Sequence, residues 1–564
     1  MIDAQHNVLT QINSTPPTKR RSIAYNKTNN IYSEVWVMFV AGQREMQQMD
    51  RYTMEELGLP GIVLMENAGS RIVEEIIASA KNLPNATNKK PKIIILAGGG
   101  NNGGDGFVVA RRLVDIGWEP ALWLLVEPEK ITGDAKVHLE AYIKRRLPLY
   151  TINQLQEINH HLEQADIIVD AMLGTGVKGT VREPFSHIIK MVNERPRLND
   201  SIVISVDIPS GVNSDDGKVV GEAIRATKTI SFVCPKKGFF LQDGPKYIGE
   251  WKAVDISVPP SVVQDLELKL PQLLTEPLIK KSIPVRPAHG HKGTFGHALV
   301  IGGSRSYIGA PIFTAKAALH SGAGLVTLAI PEGIYPMAAG QLPEALYLPL
   351  PETNGHFSKE AVVELIPRLQ AFNSIAVGPG LSRFQGGEEW LASLMSALTT
   401  QPIVIDADAL YLFRNNLKLF KQYGGPIILT PHPGEMATLL GKTVKEVEGN
   451  RLEIARKFAT EHQVLLLLKG HRSIIATPYG EVFINPYGND ALGKGGSGDV
   501  LTGLITSFLA QGATPLQAVQ AACYLHAKAG EEQAKVLSNY GVMPFDLIDG
   551  VKQLLAIIKM KHIK

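Results

Sequence analysis

Cysteine is scarce in this chain, and its cysteines form no spacing pattern that would bind a metal. The 564 residues include two, Cys234 and Cys523, which lie in opposite halves of the sequence. Disulfide-stapled domains and zinc modules need several closely spaced cysteines, so the sequence argues against both classes. We expect two inert, buried thiols in a reducing compartment, which places the protein in the cytoplasm.

Long apolar runs and an excess of one charge sign are also missing. No uninterrupted apolar segment approaches the roughly 18–20 residues of a membrane-spanning helix. The 57 Lys and Arg residues nearly balance the 54 Asp and Glu residues, for a net charge of +3. Because nucleic-acid-binding domains usually carry a large basic excess, we expect neither a nucleic acid nor a membrane as a partner.

The first 37 residues lack the apolar core that a signal peptide requires. They are polar and contain Pro16-Pro17 and the basic run Lys19–Arg21. We interpret residues 1–37 as a disordered extension, or as the product of an upstream start codon with the folded part beginning near Met38, rather than as a targeting segment.

Glycine, in contrast, is abundant, with 53 residues. Short β-branched runs alternate with longer amphipathic stretches twice along the chain, which is typical of α/β domains with a mostly parallel sheet covered on both faces. Between these halves, prolines interrupt residues 259–284 at a density that prevents a continuous element. We therefore predict a domain over residues 38–258, a linker over 259–284 and a second domain over 285–564.

Buried strands are predicted where a short apolar run meets a turn signal. In the first half these are Ile93–Leu96, Ala121–Val126, Ile167–Val169, Ile202–Val206 and Thr229–Val233. In the second half they are His297–Ile301, Leu325–Ile330, Ile375–Val377, Ile403–Ile405, Ile427–Leu429, Val464–Leu468 and Val482–Ile484. Asn450 is the predicted N-cap of a helix over Arg451–Glu461.

The first half carries a glycine-rich loop, Gly98–Gly106, with the sequence GGGNNGGDG between a strand and a helix. Glycines let the backbone turn tightly and approach a ligand, and the following helix N-terminus attracts anions. Two other strands end in a carboxylate followed by a glycine turn, at Asp170 and at Asp207. Since ligands bind at the carboxyl ends of strands in open α/β sheets, we predict that these segments meet in one pocket. The alternative is that either aspartate caps the next helix.

Four ordered motifs of the first half resemble the NAD(P)H-hydrate epimerase family: MENAG from Met65, the GGGNNGGDG loop, DAMLGTG from Asp170 and VDIPSG from Val206. The resemblance implies a Rossmann-like three-layer α/β/α domain with Asp207 as its acid/base residue. It also implies a K⁺ ion held by Asn102, Asp170 and Ser210, whose oxygen atoms suit a hard cation. The implied contacts with the hydrated dinucleotide are Asn101, Asn102, Gly103, Gly104, Asp105, Gly174, Thr175, Gly176, Val177, Lys178, Gly179, Thr180 and Asp207.

The second half contains the motif GKGGSGDVLTG over Gly493–Gly503, where glycines precede an apolar helix. Free N–H groups at such a helix terminus form a phosphate site, and Asp499 in the first turn can face the atom that is phosphorylated. The sequence leaves open whether Asp406 and Asp408 are structural or lie near the reacting group, and whether Lys494 faces phosphate or solvent. Strand-end turns that could join this site are VGPGL around Gly380, TPHPGE around His432 and KGHRS from Lys469.

Six ordered motifs, from HKGTFGHALVIGGS to GGSGDVLTG, resemble the NAD(P)H-hydrate dehydratase family over about residues 285–560. This resemblance implies a ribokinase-like α/β domain in which Asp499 is catalytic. The implied contacts with the hydrated dinucleotide are Ala310, Gly380, His432 and Asp499. The implied contacts with the adenine nucleotide are Lys469, Gly470, His471, Arg472, Ser473 and Gly498.

Together the resemblances imply a bifunctional enzyme, expected as a homo-oligomer, that repairs hydrated NADH and NADPH. Spontaneous hydration gives both C6 epimers, so the first half would interconvert R and S. The second half would phosphorylate the C6 hydroxyl of the S form, aided by Mg²⁺ and Asp499, and loss of phosphate would restore NAD(P)H. The donor is ADP or ATP, and the resemblance to bacterial fused forms favours ADP.

Two other functions fit parts of the sequence. The GGSGD motif also suits a kinase of a vitamin or sugar, for which a phosphorylated product would accumulate. The first half could be a nucleotide-sensing module without activity, but an intact set of Asn102, Asp170, Asp207 and Ser210 argues against this.

Overall fold

The computed structural model describes residues 38–83, 90–195 and 201–560. The predicted disordered extension over residues 1–37 lies outside the described residues. Within the described ranges, no helix combines the length and apolar character needed to cross a membrane. Both cysteines are buried, as expected.

Seven strands of the described residues form a fully parallel sheet in the first half. The strands are β1 (Ile93–Ala97), β2 (Ala121–Leu124), β3 (Leu149–Thr151), β4 (Ile167–Ala171), β5 (Ile202–Val206), β6 (Lys228–Phe232) and β7 (Glu250–Val254). Their order across the sheet is β3-β2-β1-β4-β5-β6-β7. The helices are α1 (Gln43–Glu55), α2 (Gly61–Ala80), α3 (Asn101–Asp115), α4 (Gly133–Lys144), α5 (Ile158–Gln164) and α6 (Phe185–Glu194).

Alternating side chains of these strands pack into two separate apolar layers. Ile93 and Ile95 of β1 belong to a cluster with α1, α2 and α3, whereas Ile94 and Leu96 belong to a cluster with α5 and α6. Successive residues of a strand point to opposite faces, so a strand that is apolar throughout needs helices on both sides. The predicted Rossmann-like three-layer architecture is confirmed.

Ten strands of the described residues form the sheet of the second half, in the order β11-β10-β9-β14-β15-β16-β17-β18-β19-β8. They are β8 (Gln272–Leu273), β9 (His297–Ile301), β10 (Leu325–Pro331), β11 (Leu346–Leu350), β14 (Ser374–Val377), β15 (Ile403–Ile405), β16 (Ile427–Leu429), β17 (Leu465–Leu468), β18 (Ile474–Ala476) and β19 (Val482–Ile484), while β12 (Glu352–Thr353) and β13 (His356–Phe357) form a separate hairpin. The sheet is parallel from β11 to β17, and β18 is antiparallel to both of its neighbours.

Helices cover both faces of this second sheet, and the predicted ribokinase-like α/β class is confirmed. Ala298 and Val300 of β9 face one helical layer, and Leu299 and Ile301 face the other. The helices are α7 (Val262–Asp265), α8 (Glu276–Ser282), α9 (Gly309–His320), α10 (Tyr335–Gln341), α11 (Lys359–Leu365), α12 (Gly387–Ala397), α13 (Asp408–Phe413), α14 (Lys418–Gln422), α15 (Pro433–Leu440), α16 (Val444–Gly449), α17 (Arg451–His462), α18 (Ser497–Ala510), α19 (Pro515–Gly541) and α20 (Pro544–Met560).

The segment 259–284, predicted to be a linker without a continuous element, contains three short elements, α7, β8 and α8. Its prolines stand at the ends of these short elements. Pro271 directly precedes β8, and Pro277 lies in the first turn of α8, where a missing N–H breaks no helical hydrogen bond. β8 pairs with β19 and completes the edge of the second sheet.

Residues 38–41 connect the two halves, which belong to one compact unit. On one side the Val40 N–H donates to Pro271 (2.8 Å) and the Leu273 N–H donates to Met38 (2.8 Å). On the other side the Lys237 N–H donates to Ala41 (2.9 Å). An apolar cluster under this segment includes Val40, Ile208, Phe239, Phe240, Leu273 and Ile484.

Candidate active sites

A cavity of about 640 Å³, here called the first cavity, opens at the carboxyl ends of the first sheet. Its lining comes from α1, α2, the turns after β1 and β4, and the end of β5. The predicted site residues that line it are Asn101, Asn102, Asp105, Gly174, Thr175, Gly176, Val177 and Asp207. The predicted residues that lie outside its lining are Gly103, Gly104, Asp170, Lys178, Gly179, Thr180 and Ser210.

The loop at the glycine-rich segment is shorter than predicted, because α3 already begins at Asn101. A Cβ atom on Gly103 would lie 1.9 Å from the carbonyl oxygen of Gly98, and one on Gly98 would lie 1.9 Å from that of Met172. These two glycines therefore allow α3 and the turn after β4 to pack closely. Gly100, in contrast, has open space at its Cβ position and lines the cavity.

The three predicted potassium ligands lie close together, because Ser210 contacts Asp170 directly and shares the Leu173 carbonyl with Asn102. The carboxylate of Asp170 is fully buried and accepts hydrogen bonds from the hydroxyls of Ser210 (2.5 Å) and Ser205 (2.8 Å). The Asn102 amide and the Ser210 hydroxyl both donate to the Leu173 carbonyl, at 3.2 Å. Burial raises the pKa of Asp170, although the Ser210 hydrogen bonds oppose this shift. The cluster consists of hard oxygen donors, which fits an alkali cation.

Asp207 forms an ion pair that the sequence did not predict. Its Oδ1 lies 2.5 Å from the Nζ of Lys236 and also accepts from the Phe232 N–H (3.0 Å). Lys236 is 0% exposed, and its ammonium also donates to the Ser231 hydroxyl (3.0 Å). Because these partners hold the carboxylate, the alternative in which Asp207 caps a helix does not apply. A left-handed backbone conformation (φ +63°) turns Asp207 at the end of β5.

Three further carboxyls, those of Asp50, Asp105 and Asp134, line the first cavity together with Asp207. Burial raises the pKa of Asp50 to about 6, with a further increase from the charge of Asp207 and an opposing effect from Lys236. Burial, followed by the charges of Asp207 and Asp50, raises the pKa of Asp105 well above its usual range. The sequence analysis missed Asp50, although its spacing from the buried Met46 and Thr53 places it on the inner face of α1.

A second cavity, also of about 640 Å³, opens where β15, β16 and β17 end, against the glycine-rich entry to α18. The predicted residues that line it are His432, Lys469, Gly470, His471, Ser473, Gly498 and Asp499. Ala310, Gly380 and Arg472 lie outside this lining. Ala310 and Gly380 are close neighbours, since a Cβ on Gly380 would lie 3.2 Å from that of Ala310. Arg472 donates to the carbonyl of Gly488 (3.1 Å).

Asp406 and Lys469 form the central ion pair of the second cavity, at 2.9 Å. Asp406 is 2% exposed and also accepts from the hydroxyl of Thr502 in α18 (2.7 Å). Although burial opposes ionisation, Lys469 and these hydrogen bonds lower the pKa of Asp406. Asp499 accepts no hydrogen bond from any described residue, and burial together with the charge of Asp406 raises its pKa to about 7.

Three other side chains of this half have clear local roles. His432 caps α15, because its Nδ1 accepts from the Gly434 N–H (3.0 Å), and its Nε2 lies 3.5 Å from the Oε1 of Glu435. Asp408 accepts from the Ser382 N–H (2.8 Å) and so holds the turn after β14. Lys494 donates to the carbonyl of Tyr540 instead of pointing freely at a phosphate position. Asn450 stands at the N-cap of α17, but its side chain makes no capping hydrogen bond.

Known proteins match both halves of the chain. A family model described as NAD(P)H-hydrate dehydratase matches residues 298–553, and one described as YjeF-related protein N-terminus matches residues 61–238. A solved structure, the ADP/ATP-dependent NAD(P)H-hydrate dehydratase from Bacillus subtilis co-crystallised with ATP/Mg²⁺, is 32% identical and covers 52% of this chain and 99% of its own, with a TM-score of 0.46.

Curated relatives match almost the whole length. The bifunctional NAD(P)H-hydrate repair enzyme Nnr of Moorella thermoacetica is 41% identical over 92% of this chain and 97% of the relative. The enzyme of the same name from Thermofilum pendens is 33% identical over 93% of this chain and 97% of the relative. The chain therefore belongs to the family of bifunctional NAD(P)H-hydrate repair enzymes.

Proposed function

We propose that the first cavity epimerises hydrated NADH and NADPH at C6, and that the second cavity dehydrates the S epimer with ADP or ATP as the phosphoryl donor. The observation that carries this proposal is the presence in each cavity of a carboxylate next to backbone N–H groups of a glycine-rich helix entry. Asp207 lines the first cavity with Gly99 and Gly100, and Asp499 lines the second with Gly495 and Gly496.

In the first cavity, Asp207 moves the proton at the C6 oxygen of the substrate. The Lys236 ammonium at 2.5 Å stabilises the ionised carboxylate and fixes its position. A K⁺ ion would be held by Asn102, Asp170 and Ser210, where its charge would complement a buried carboxylate that forms no ion pair with a described basic residue. The N-terminus of α3, beginning at Asn101, offers N–H groups to the phosphates of the dinucleotide.

In the second cavity, Asp499 accepts the proton of the C6 hydroxyl while that oxygen attacks the terminal phosphorus of the nucleotide. The bond from this phosphorus to the bridging oxygen breaks, which releases AMP from ADP, or ADP from ATP. Loss of phosphate, with electrons from N1, and then of a C5 proton restores the double bond. Lys469 and the N-terminus of α18 stabilise the phosphate charge.

Mg²⁺ would accompany the nucleotide and neutralise part of its phosphate charge. The second cavity fits such an ion, because the Asp499 carboxyl accepts no hydrogen bond from the described residues. Mg²⁺ usually needs only one or two carboxylates when phosphates supply other ligands.

Incubation of mixed hydrate epimers with each nucleotide tests the proposal. We expect full recovery of the absorbance of reduced nicotinamide with ADP or ATP, and one free phosphate for each molecule restored. Recovery without nucleotide would contradict the phosphorylation step. Accumulation of a stable phosphorylated product would instead support the kinase alternative.

Homo-oligomerisation and a cytoplasmic location remain part of the proposal. Both follow from the sequence expectations. Light scattering of the purified protein measures the first, and cell fractionation with an antibody measures the second. A monomer at micromolar concentration or a membrane-bound fraction would overturn the respective expectation.

A further inference from the structure

Four carboxyls line the first cavity, those of Asp50, Asp105, Asp134 and Asp207, but among the described residues only Asp207 has hydrogen-bonded partners. Asp207 accepts from Lys236, Phe232 and Ser231. Asp50 and Asp105 accept no hydrogen bond from the described residues. A carboxyl that pairs with a cation tends to stay ionised and can accept a proton, whereas a desolvated carboxyl without a partner is more easily protonated and can donate one.

Asp50 has no structural task that would explain its position. It lies on the inner face of α1 with Met46 and Met49, and it lines the cavity beside Phe232. A desolvated carboxyl without a hydrogen bond costs stability. A residue that lowers stability in this way, without a structural contact that compensates, is expected at a functional site.

We propose that Asp50 is a catalytic residue that donates the proton needed to remove the C6 hydroxyl in the epimerisation, while Asp207 serves as the proton acceptor. This inference rests on the proposed epimerase function of the first cavity. It adds a donor to a site for which the sequence supplied only Asp207.

The steps balance without another reagent. The Asp50 carboxyl protonates the C6 hydroxyl, the C6–O bond breaks with its electrons on the leaving water, and the N1 lone pair forms an N1=C6 iminium. A solvent water then attacks the opposite face of C6 and gives a proton to the Asp207 carboxylate. Return of that proton from Asp207 to Asp50 completes the cycle.

Asp105 is less suited to this exchange. It is 6% exposed, in the first turns of α3. Its pKa is raised well above the usual range by burial and by the charges of Asp207 and Asp50, which favours the protonated form. Burial raises the pKa of Asp50 to about 6, and a pKa near the operating pH is most effective for proton transfer.

The test compares the full-length protein with Asp50→Asn, using purified S hydrate of NADPH in water enriched in ¹⁸O and no nucleotide. Chromatography follows the formation of the R epimer, and mass spectrometry follows the isotope. We expect the kcat of epimerisation to fall at least about 100-fold, with KM within about twofold. The midpoint of thermal unfolding should be unchanged or higher, because Asn removes a desolvated carboxyl.

Glu55→Gln is the matched control, since it removes an exposed carboxyl from the same helix. It should leave kcat unchanged. Wild-type protein that does not invert the epimer would refute the proposed function itself. If the wild type inverts it, then an Asp50→Asn rate near that of the wild type, or a change in KM alone, overturns the role of Asp50. Inversion by the wild type without incorporation of ¹⁸O also overturns it and requires no variant.

Discussion

The two cavities contain the same kinds of groups, a largely buried lysine and several carboxyls, but they pair these groups differently. In the first, Lys236 contacts Asp207, the predicted acid/base residue, at 2.5 Å. In the second, Lys469 contacts Asp406 at 2.9 Å. The predicted catalytic residue Asp499 accepts no hydrogen bond from the described residues, and burial raises its pKa to about 7.

The two cavities therefore differ in which carboxyl the lysine contacts, and not in whether a lysine is present. An ammonium in contact favours the ionised form of its partner, whereas burial without a partner favours the protonated form. In the second cavity the unpaired carboxyl is that of Asp499, the proposed proton acceptor. In the first cavity the unpaired carboxyls with a raised pKa, Asp50 and Asp105, stand beside the paired one.

The largest effect is expected from Asp499→Asn, which removes the proposed proton acceptor of the second cavity. We expect the dehydratase kcat to fall roughly 10³–10⁴-fold, measured by recovery of the absorbance of reduced nicotinamide. The epimerase rate of the same protein is the internal control and should not change. Dehydration within tenfold of the wild-type rate would show that another group accepts the proton.

Lys236→Met removes the ion pair between Lys236 and Asp207 at the first cavity. It leaves Asp207 without its ammonium, so we expect the epimerase rate to fall about 100-fold and the free energy of unfolding to fall by about 3 kcal/mol. Chemical denaturation and the conversion of a single epimer measure the two effects. Lys237→Met is the control, because Lys237 pairs with the partly exposed Glu45 instead, and an unchanged epimerase rate in Lys236→Met would contradict the assigned pairing.

The pH dependence of the dehydratase should reflect the unpaired state of Asp499. Its pKa is raised to about 7 by burial and by Asp406, and the carboxylate must be ionised to accept a proton. We therefore expect kcat/KM to rise about tenfold for each pH unit up to about 7 and to level off above it. A profile that is flat between pH 5 and 7 would show that the Asp499 carboxyl is already ionised there.

The raised pKa of Asp499 also affects the stability of the fold. This contribution to stability falls as the pH rises, whereas the activity is expected to increase. The folded protein binds a proton at Asp499 more tightly than the unfolded chain, whose carboxyl has a pKa of 3.8. The contribution of this residue to stability is therefore largest near pH 4 and is lost as the pH rises towards 7. Comparison of the unfolding free energies of the wild type and Asp499→Asn at pH 5 and pH 8 measures it, and a difference that does not depend on pH would contradict the shift.

The smallest effect is expected from Lys494→Ala. The ammonium of Lys494 donates to the carbonyl of Tyr540, so its removal should change the KM for the nucleotide less than about threefold. Lys469→Ala should change it far more, because Lys469 directly follows β17, lines the second cavity and pairs with Asp406. Equal effects of both substitutions would show that Lys494 turns towards the phosphate when nucleotide binds.

Sequence patterns predicted most strands of both sheets and the segments that surround the cavities. Apolar runs such as Ile167–Val169, which lies within β4, predict buried strands because each residue needs an apolar neighbour on one face. Strands with partly exposed side chains, such as β3 and β7, were missed because they contain no continuous apolar run. The motifs identified Asp207 and Asp499 because a polar residue directly at a strand end or a helix start is a local signal.

Tertiary structure alone decided which charged groups meet. Lys236 and Asp207 are separated by 29 residues, and Lys469 and Asp406 by 63. No local pattern links such positions, because strand order and the packing of parallel strand ends bring them together. The same holds for residues 38–41, whose hydrogen bonds to Pro271 and Lys237 depend on where two separate sheets end. The sequence determined the kinds of groups at each site, and the fold determined their partners and therefore their charge.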